Sequence, residues 1–262
     1  MREPAILLKS VPVAPSLRRV LYAFALLLAV PVTAVARPAT GPVAEAWETV
    51  QNYHEDLTRL DRARDRLESE VARTPTLDAL LLLAWMHLVW ADHRAHTTEA
   101  KLTSYARGRD VARRAIELAP QSPDAHLWYA ANLGRWAVTK GKLRAAFLLS
   151  TLKEEIQTVL ALDPNHVTGL SLAGSIFLET PRLLGGDVAR AEGYLRRALT
   201  LDPRFTRARV ELARCLIERR RYDDAREELK RVIDEREPTY VADWVVEHRP
   251  AARQLLEEIR AR

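Results

Sequence analysis

Apolar positions with helical spacing run through most of the chain. Between residues 222 and 233 they recur at steps of three and four, and charged residues fill the positions between them. Such a stripe predicts an amphipathic helix, and residues 210 to 217 show the same pattern and predict its antiparallel partner. No stretch alternates apolar and polar positions for long enough to indicate a strand. The pattern therefore predicts an all-α fold.

The predicted helices recur with a period. Similar phrases end at successive prolines, as in AIELAP, VLALDP and ALTLDP, and the separations between these prolines are 45, 44, 39 and 35 residues. A period of this length with helical content indicates an array of helix pairs. The prolines are Pro75, Pro120, Pro164, Pro203 and Pro238.

Small residues stand where the two helices of each pair would cross. Before Pro203, Ala191 and Ala198 are the small residues, and the large apolar Leu195 lies between them. Ala225 and Leu229 occupy the places of Ala191 and Leu195 in the next unit. This pattern resembles the tetratricopeptide repeat (TPR), in which small side chains let two helices approach closely. The resemblance implies an α-α superhelix, a TPR-like solenoid of four to five antiparallel helix pairs. It would span residues 43–238, with residues 239–262 as a C-terminal capping helix.

Two departures from the simple repeat narrow the resemblance. About ten extra residues lengthen the helices around residues 136–152, and five extra residues lengthen the turn at residues 179–187. A Tyr-x4-Gly-x-Trp phrase begins at Tyr129, and a Pro-x3-Gly-Gly-Asp phrase begins at Pro181. These phrases are similar to the TPR component of TRAP transporters, the TatT or TRAP-T family, although no lipoprotein cysteine is present. A similar layout occurs in the mitochondrial regulator of microtubule dynamics family, which an export signal disfavours. The first resemblance implies a non-catalytic periplasmic protein, a possible homo-oligomer, whose partner is a periplasmic solute-binding subunit.

The first 36 residues have the layout of an export signal. Arg18 and Arg19 precede an apolar run over residues 20–30, Pro31 ends that run, and residues 34–36 read Ala-Val-Ala. These features predict a secretory signal peptide over 1–36, a short linker over 37–42 and a periplasmic location. The alternative is an inner-membrane anchor formed by an uncleaved segment 20–36. A later apolar run, residues 80–91, is too short to span a membrane, so no stable span is predicted after cleavage.

Charge and cysteine content exclude several classes of protein. The net charge is +5, but 36 basic and 34 acidic residues remain once residues 1–36 are set aside. A nearly neutral body gives no electrostatic case for nucleic-acid binding. A single cysteine, Cys215, excludes an intrachain disulfide and a cysteine-based zinc site, and its apolar neighbours predict a buried, inert thiol.

Each candidate catalytic or metal-binding pattern lacks residues or a setting that its chemistry requires. Gly185, Gly186 and Asp187 lack the lysine of a phosphate loop, so we predict a turn in which the glycines adopt positive φ and Asp187 caps a helix. His93 and His96 share a helix face, but His87 points elsewhere and no third ligand converges on them. The Gly-Leu-Ser-Leu-Ala phrase at residues 169–173 lies inside a predicted helix, where a nucleophilic serine is not expected. No catalytic residue, metal or cofactor is predicted.

A set of aromatic, basic and turn residues is left as the candidate binding surface. We predict that it binds a protein partner along the first helices of the pairs, although core packing also explains its aromatic members. An alternative function is carriage of a small apolar ligand in a pore between helices, motivated by residues 147–149; an enzyme is the third hypothesis. The candidate residues are Trp128, Tyr129, Trp136, Arg182, Leu183 and Asp187.

Overall fold

The computed structural model describes residues 41–262, and among these residues it contains helices and no strand. The predicted signal peptide, the alternative anchor over 20–36 and most of the predicted linker lie outside the described residues. The helices are α1 (Pro42–Asn52), α2 (Arg59–Arg73), α3 (Leu77–His93), α4 (Thr98–Leu118), α5 (Pro123–Lys140), α6 (Lys142–Leu162), α7 (Val167–Glu179), a 3-10 turn (Arg182–Leu184), α8 (Val188–Leu201), α9 (Thr206–Glu218), α10 (Tyr222–Asp234), α11 (Val241–Asp243), a π-helical turn (Trp244–His248) and α12 (Arg249–Glu258).

Consecutive helices pack as five antiparallel pairs, from α1 with α2 to α9 with α10. The first helices of the pairs also pack on one another, α1 on α3, α3 on α5, α5 on α7 and α7 on α9. They form the inner row of a superhelix, and the second helices form its outer row. The predicted TPR-like solenoid is confirmed, with the number of pairs at the upper end of the predicted range.

Small side chains at the crossings explain why the pairs close. Ala191 and Ala198 are fully buried between α7, α8 and α9, and Leu195 lies between them with no exposed surface. The pair containing α4 departs from the pattern because Gly108 replaces the expected alanine. A Cβ at Gly108 would lie 2.2 Å from Oδ1 of Asn132, whose amide nitrogen donates to the carbonyls of Ala84 and Trp128. Gly108 therefore makes room for a buried polar side chain that ties α5 to α3.

The α5–α6 pair is longer than the pairs that follow it. Its helices have 18 and 21 residues, whereas α9 and α10 have 13 each. At a rise of about 1.5 Å per residue, α6 is about 12 Å longer than α10. The extra length places the end of this pair, around Gly141, beyond the core, where Leu143 and Phe147 are exposed.

The C-terminal segment does more than cap the last pair. Residues 241–258 form one continuous helical stretch in which the π-helical turn joins α11 to α12. Its far end packs on α10, as a cap would, while α11 contacts α1 at the opposite end of the inner row. The segment therefore lies along the inner face, which its sequence did not indicate. Among the described residues, no helix combines the length and the apolar character that crossing a membrane requires.

Candidate functional site: the inner groove

An aromatic row lines the inner face of the first three pairs. Trp85 of α3 stacks on Trp128 of α5 at a ring distance of 5.2 Å and meets Trp47 of α1 edge-on at 5.8 Å. Tyr240, just before α11, contacts Trp85 from the groove side at 5.6 Å and also reaches Phe205 at 5.9 Å. Aromatic pairs in such offset and edge-on geometries add to the stabilisation from their buried area. The row thus fixes the C-terminal segment against the inner helices.

A charged cluster follows the aromatic row along the same face. We call the surface formed by both the inner groove. Four of the five first helices, α1, α3, α5 and α9, contribute to it at or near their ends or along their length, and so does the C-terminal segment. They are Tyr53, Trp85, Asp92, His93, Trp128, Arg135, Arg207, Glu211, Tyr240, Asp243, Glu247 and His248.

Tyr53 connects the first pair to the C-terminal segment. Its hydroxyl donates to Oδ1 of Asp243 at 2.6 Å, and its oxygen lies 3.1 Å from Nε2 of His93. The Tyr53 and His93 rings also stack at 5.0 Å. Burial, followed by the charge of Asp243, raises the pKa of Tyr53, so the phenol stays protonated and keeps its donor role. Burial likewise raises the pKa of Asp243.

Asp92 is the acceptor for two donors on the other side of the groove. Tyr105 of α4 donates to Asp92 through its hydroxyl, and Arg135 of α5 donates to the same oxygen from Nε at 3.1 Å. About half of the Arg135 side chain remains exposed to the groove. Arg135 therefore combines a fixed anchor with a free face that a bound partner can contact.

Arg207 of α9 differs from Arg135 because it has no direct partner. Its guanidinium feels the charges of Glu247, Glu211 and Asp243, which hold its pKa above the usual value against the effect of burial. No hydrogen bond or contact ion pair joins it to another residue in the described part of the chain. Desolvation opposes ionisation of Glu247, but the surrounding positive charges, of which Arg207 contributes most, together outweigh it and lower the pKa of that exposed carboxyl. The groove therefore holds an ionised, half-buried guanidinium with free donors.

His248 is the buried histidine of the charged cluster and lies against α9. Its ring is 3% exposed, its Nδ1 lies 2.9 Å from Oγ1 of Thr206, and its Nε2 has no hydrogen-bond partner within the described residues. Burial lowers the pKa of His248 to about 4, with the charge of Glu247 acting in the opposite direction. The imidazole is therefore neutral near pH 7.

The candidate aromatic residues do not lie together. Trp128 belongs to the aromatic row of the groove, as the hypothesis of inner-face binding required. Tyr129 points instead toward Arg113 of α4, and Trp136 lies among the cationic side chains of Arg109, Lys140 and Arg144. Tyr129 and Trp136 thus face the outer row, whereas Trp128 faces the groove.

The other candidate residues lie on the turn between α7 and α8. Arg182 and Leu183 are exposed there, with Leu183 99% exposed, and Lys153 of α6 donates to the carbonyls of Leu184 and Gly185. Oδ1 of Asp187 accepts from the backbone N–H groups of Ala189 and Arg190 and caps α8, as the sequence predicted. None of these three residues is a member of the groove.

Glycine is needed at two positions of this turn for two different reasons. Gly185 adopts a left-handed conformation, with φ of +84°. Gly186 does not have a positive φ, contrary to the expectation for both glycines. A Cβ at Gly186 would instead lie 1.7 Å from the carbonyl oxygen of Thr180, so only glycine fits.

The histidines that suggested a metal are held by other contacts. His87 lines a cavity of about 320 Å³ between α2, α3 and α4, with its Nδ1 3.3 Å from Ser104 and its Nε2 3.3 Å from Glu68. His93 is part of the groove and His96 is exposed. Within residues 41–262, no group of three His, Cys, Asp or Glu side chains is placed to hold a metal ion. Cys215 is fully buried, and burial raises the pKa of its thiol to about 12, as expected for an inert thiol.

Comparison with known families decides the classification. The family model described as regulator of microtubule dynamics protein 1-3 matches residues 46–179, about half of the chain, from α1 to the end of α7. The chain belongs to this family. A tetratricopeptide repeat model matches residues 183–242, which hold α8, α9 and α10. The matching family is therefore the one that the predicted export signal disfavoured, and the resemblance to the TRAP-associated component stays a prediction.

Solved structures were compared with the fold as well. The thermophilic TPR protein TTC0263 of Thermus thermophilus is 17% identical, with a TM-score of 0.60 over 80% of this chain and 96% of that one. A MamA crystal structure is 12% identical over 81% and 98% of the two chains with a TM-score of 0.42, and a MamA RS-1 double mutant is 14% identical over 74% and 93% with 0.43. The likeness to the Thermus protein supports the fold alone. No curated protein matches the sequence.

Sequence reasoning missed most of the groove. Trp47, Trp85 and Trp128 are spaced by 38 and 43 residues, which is the period of the repeat itself, so aligning the units would have placed all three on one face. The charged members carry no such signal. Arg207, Asp243 and Glu247 belong to segments that meet only because the C-terminal segment turns back along the inner row.

Proposed function

We propose that this chain is an exported, non-catalytic TPR scaffold that binds a protein partner in the inner groove. The TPR fold supports a role in protein–protein interaction, because the stacked first helices of such a superhelix form an extended concave surface that a partner can bind. The groove supplies one feature of a binding hot spot, namely a partly buried arginine with free donors.

The free guanidinium of Arg207 carries the proposal. A partly buried arginine without a hydrogen-bond partner gains from a carboxylate that can accept two parallel N–H bonds. Glu247 and Asp243 lie near enough to balance its charge, but neither forms the contact pair. A segment of a partner that places an Asp or Glu side chain, or a C-terminal carboxylate, at Arg207 would complete the site.

Features of the sequence support the location and the partner. Residues 1–36 support export, and we propose the periplasm as the location. The resemblance of the Tyr129 and Pro181 phrases to the TRAP-associated family supports a TRAP-type solute-binding subunit as the partner. The family to which the chain belongs is named for microtubule dynamics, and under this proposal the chain uses the family's repeat fold for a different partner.

The experiment compares two arginine substitutions in crosslinked periplasmic extracts. The chain with Arg207→Ala is expected to lose the partner that the unchanged chain captures, by about tenfold or more, since a charged hydrogen bond is worth about 1.5–3 kcal/mol. Arg253→Ala is the matched control, because Arg253 is an exposed arginine of α12, the end of the segment that packs on α10, and is not a member of the groove. Mass spectrometry of the captured band tests whether it is a solute-binding subunit. Equal capture by both variants would overturn the groove as the binding site.

A further inference from the structure

The end of the α5–α6 pair carries exposed apolar side chains. Val138 is 63% exposed, Leu143 81% and Phe147 78%, and these residues flank the turn at Gly141. Leu143 and Phe147 are four residues apart on α6, so they lie on the same face of the helix. We call this region, residues 136–147, the hairpin end.

The stretch of sequence that contains the hairpin end carries charge of one sign. No Asp or Glu occurs from residue 125 to residue 153, a stretch of 29 residues, although the chain of 262 residues contains 35 acidic residues. The same stretch contains five Lys and Arg residues. They are Arg135, Lys140, Lys142, Arg144 and Lys153.

Cations and an aromatic ring surround the apolar side chains. The charged groups of Lys140 and Arg144 lie within about 6 Å of the centre of the Trp136 ring. Lys140 and Lys142 stand on either side of the turn. A surface that exposes large apolar side chains within a ring of Lys and Arg fits an interface that is apolar at its centre and anionic around it.

We propose that the hairpin end docks on an anionic lipid bilayer. Leu143 and Phe147 enter the boundary between headgroups and acyl chains, while Lys140, Lys142 and Arg144 contact the lipid phosphates. A second copy of this chain is a poorer occupant, because two hairpin ends facing each other would bring their cations together with no Asp or Glu of the same stretch to pair with them. None of the residues of the hairpin end belongs to the inner groove, so a docked chain keeps the groove free for a partner.

Vesicle flotation tests this proposal with the chain from residue 37 onward, in which the compact unit formed by the described residues is complete. Vesicles contain phosphatidylcholine alone or phosphatidylcholine with phosphatidylglycerol at about 30%. We expect binding to the anionic vesicles only, and a loss with rising salt. Each of Lys140→Gln and Lys142→Gln should weaken binding about fivefold, since one basic residue at such a surface contributes about 1 kcal/mol.

The apolar contribution is tested by a pair of matched substitutions. Phe147→Ser should weaken vesicle binding about tenfold or more, since burying a phenylalanine contributes about 1.5–3 kcal/mol. Leu118→Ser, at the exposed end of α4 and 56% exposed, should leave binding unchanged. No binding to anionic vesicles, equal binding to both compositions, or equal binding by Phe147→Ser and the unchanged chain would overturn the proposal. So would a Phe147→Ser chain that changes from oligomer to monomer in native mass spectrometry without losing vesicle binding.

Discussion

The α9–α10 pair and the α5–α6 pair are built on the same plan but use their length differently. In α9–α10, helices of 13 residues place nearly every apolar side chain in the core, and Leu212, Leu216 and Leu229 are at most 1% exposed. In α5–α6, helices of 18 and 21 residues share a core only along part of their length. The remainder exposes Leu143 and Phe147.

The difference shows what the repeat determines and what it leaves open. Contacts with the neighbouring pairs fix the crossing, so the small residues there are constrained in both pairs. Residues beyond the neighbouring helices meet no partner within the described chain. Extra length in one pair therefore adds exposed surface rather than buried core, so a leucine contributes to stability in α10 but not at the exposed end of α6.

The largest expected effect is the difference in stability between a leucine substitution in α10 and one in α6. Leu229→Ala in α10 should lower the free energy of unfolding by about 2–5 kcal/mol, because the cavity lies in a closed core. Leu143→Ala in α6 should change it by less than about 0.5 kcal/mol, because that side chain is 81% exposed. Urea unfolding followed by circular dichroism measures both. Similar losses for the two variants would show that the hairpin end is packed against something in solution.

Acid sensitivity is the next largest effect, and it should arise on the α9 side. His248, seated against Thr206, has a pKa of about 4 in the folded chain, against about 6.5 when unfolded. Between these values the unfolded chain binds the additional proton, so stability is lost as pH falls. The loss attributable to this residue is about 1.4 kcal/mol per pH unit.

The measurement compares urea unfolding at several values between about pH 7 and about pH 4.5, the window in which this linkage acts. The charges that face His248 are those of Glu247, Arg207 and His93, so the control replaces the imidazole alone. His248→Gln should lower the slope of the unfolding free energy against pH by about 1.4 kcal/mol per pH unit, the contribution of one bound proton. An unchanged slope in that variant would place the acid-sensitive group elsewhere.

The smallest of the three effects concerns the turn that joins α7 to α8, between the two pairs. Gly186→Ala should cost about 1–3 kcal/mol, because the added Cβ overlaps the Thr180 carbonyl. Gly193→Ala, inside α8 with no atom near its Cβ position, should instead stabilise the chain by about 0.5–1 kcal/mol. Thermal unfolding of both variants gives the two signs. A stabilising Gly186→Ala would mean that the turn relaxes away from Thr180.

Much of the fold could be predicted because its signal is local and repeated. The spacing of Ala191, Leu195 and Ala198 reports a helix crossing wherever it occurs, and the proline period counts the pairs. The pair that contains α4 departs from the pattern for a reason that lies in another helix: Gly108 is small because Asn132 fills the space beside it. A single unit cannot show such a substitution, because the compensating residue lies 24 positions away.

The aromatic candidate residues also depend on contacts with other helices, which a single unit does not show. Trp128 lies in the aromatic row of the inner face and also packs against the core, so both interpretations of the aromatic residues describe part of its environment. Trp136 and Tyr129 were grouped with it, but they turn toward the outer row, where Arg109 and Arg113 meet them. Neighbours on one helix can face different helices, and only the packing of α4 and α6 decides which.

The sequence by itself determined the all-α repeat, the helix caps and the surplus of length and positive charge in α5–α6, because each of these depends on residues close together in the chain. The tertiary structure decided the inner groove. Tyr53 and Asp243 are 190 positions apart, yet the Tyr53 hydroxyl donates to Asp243 at 2.6 Å. Their meeting depends on how five pairs stack and on where the C-terminal segment turns back. These properties follow from the accumulated packing of the whole superhelix and not from any one of its units.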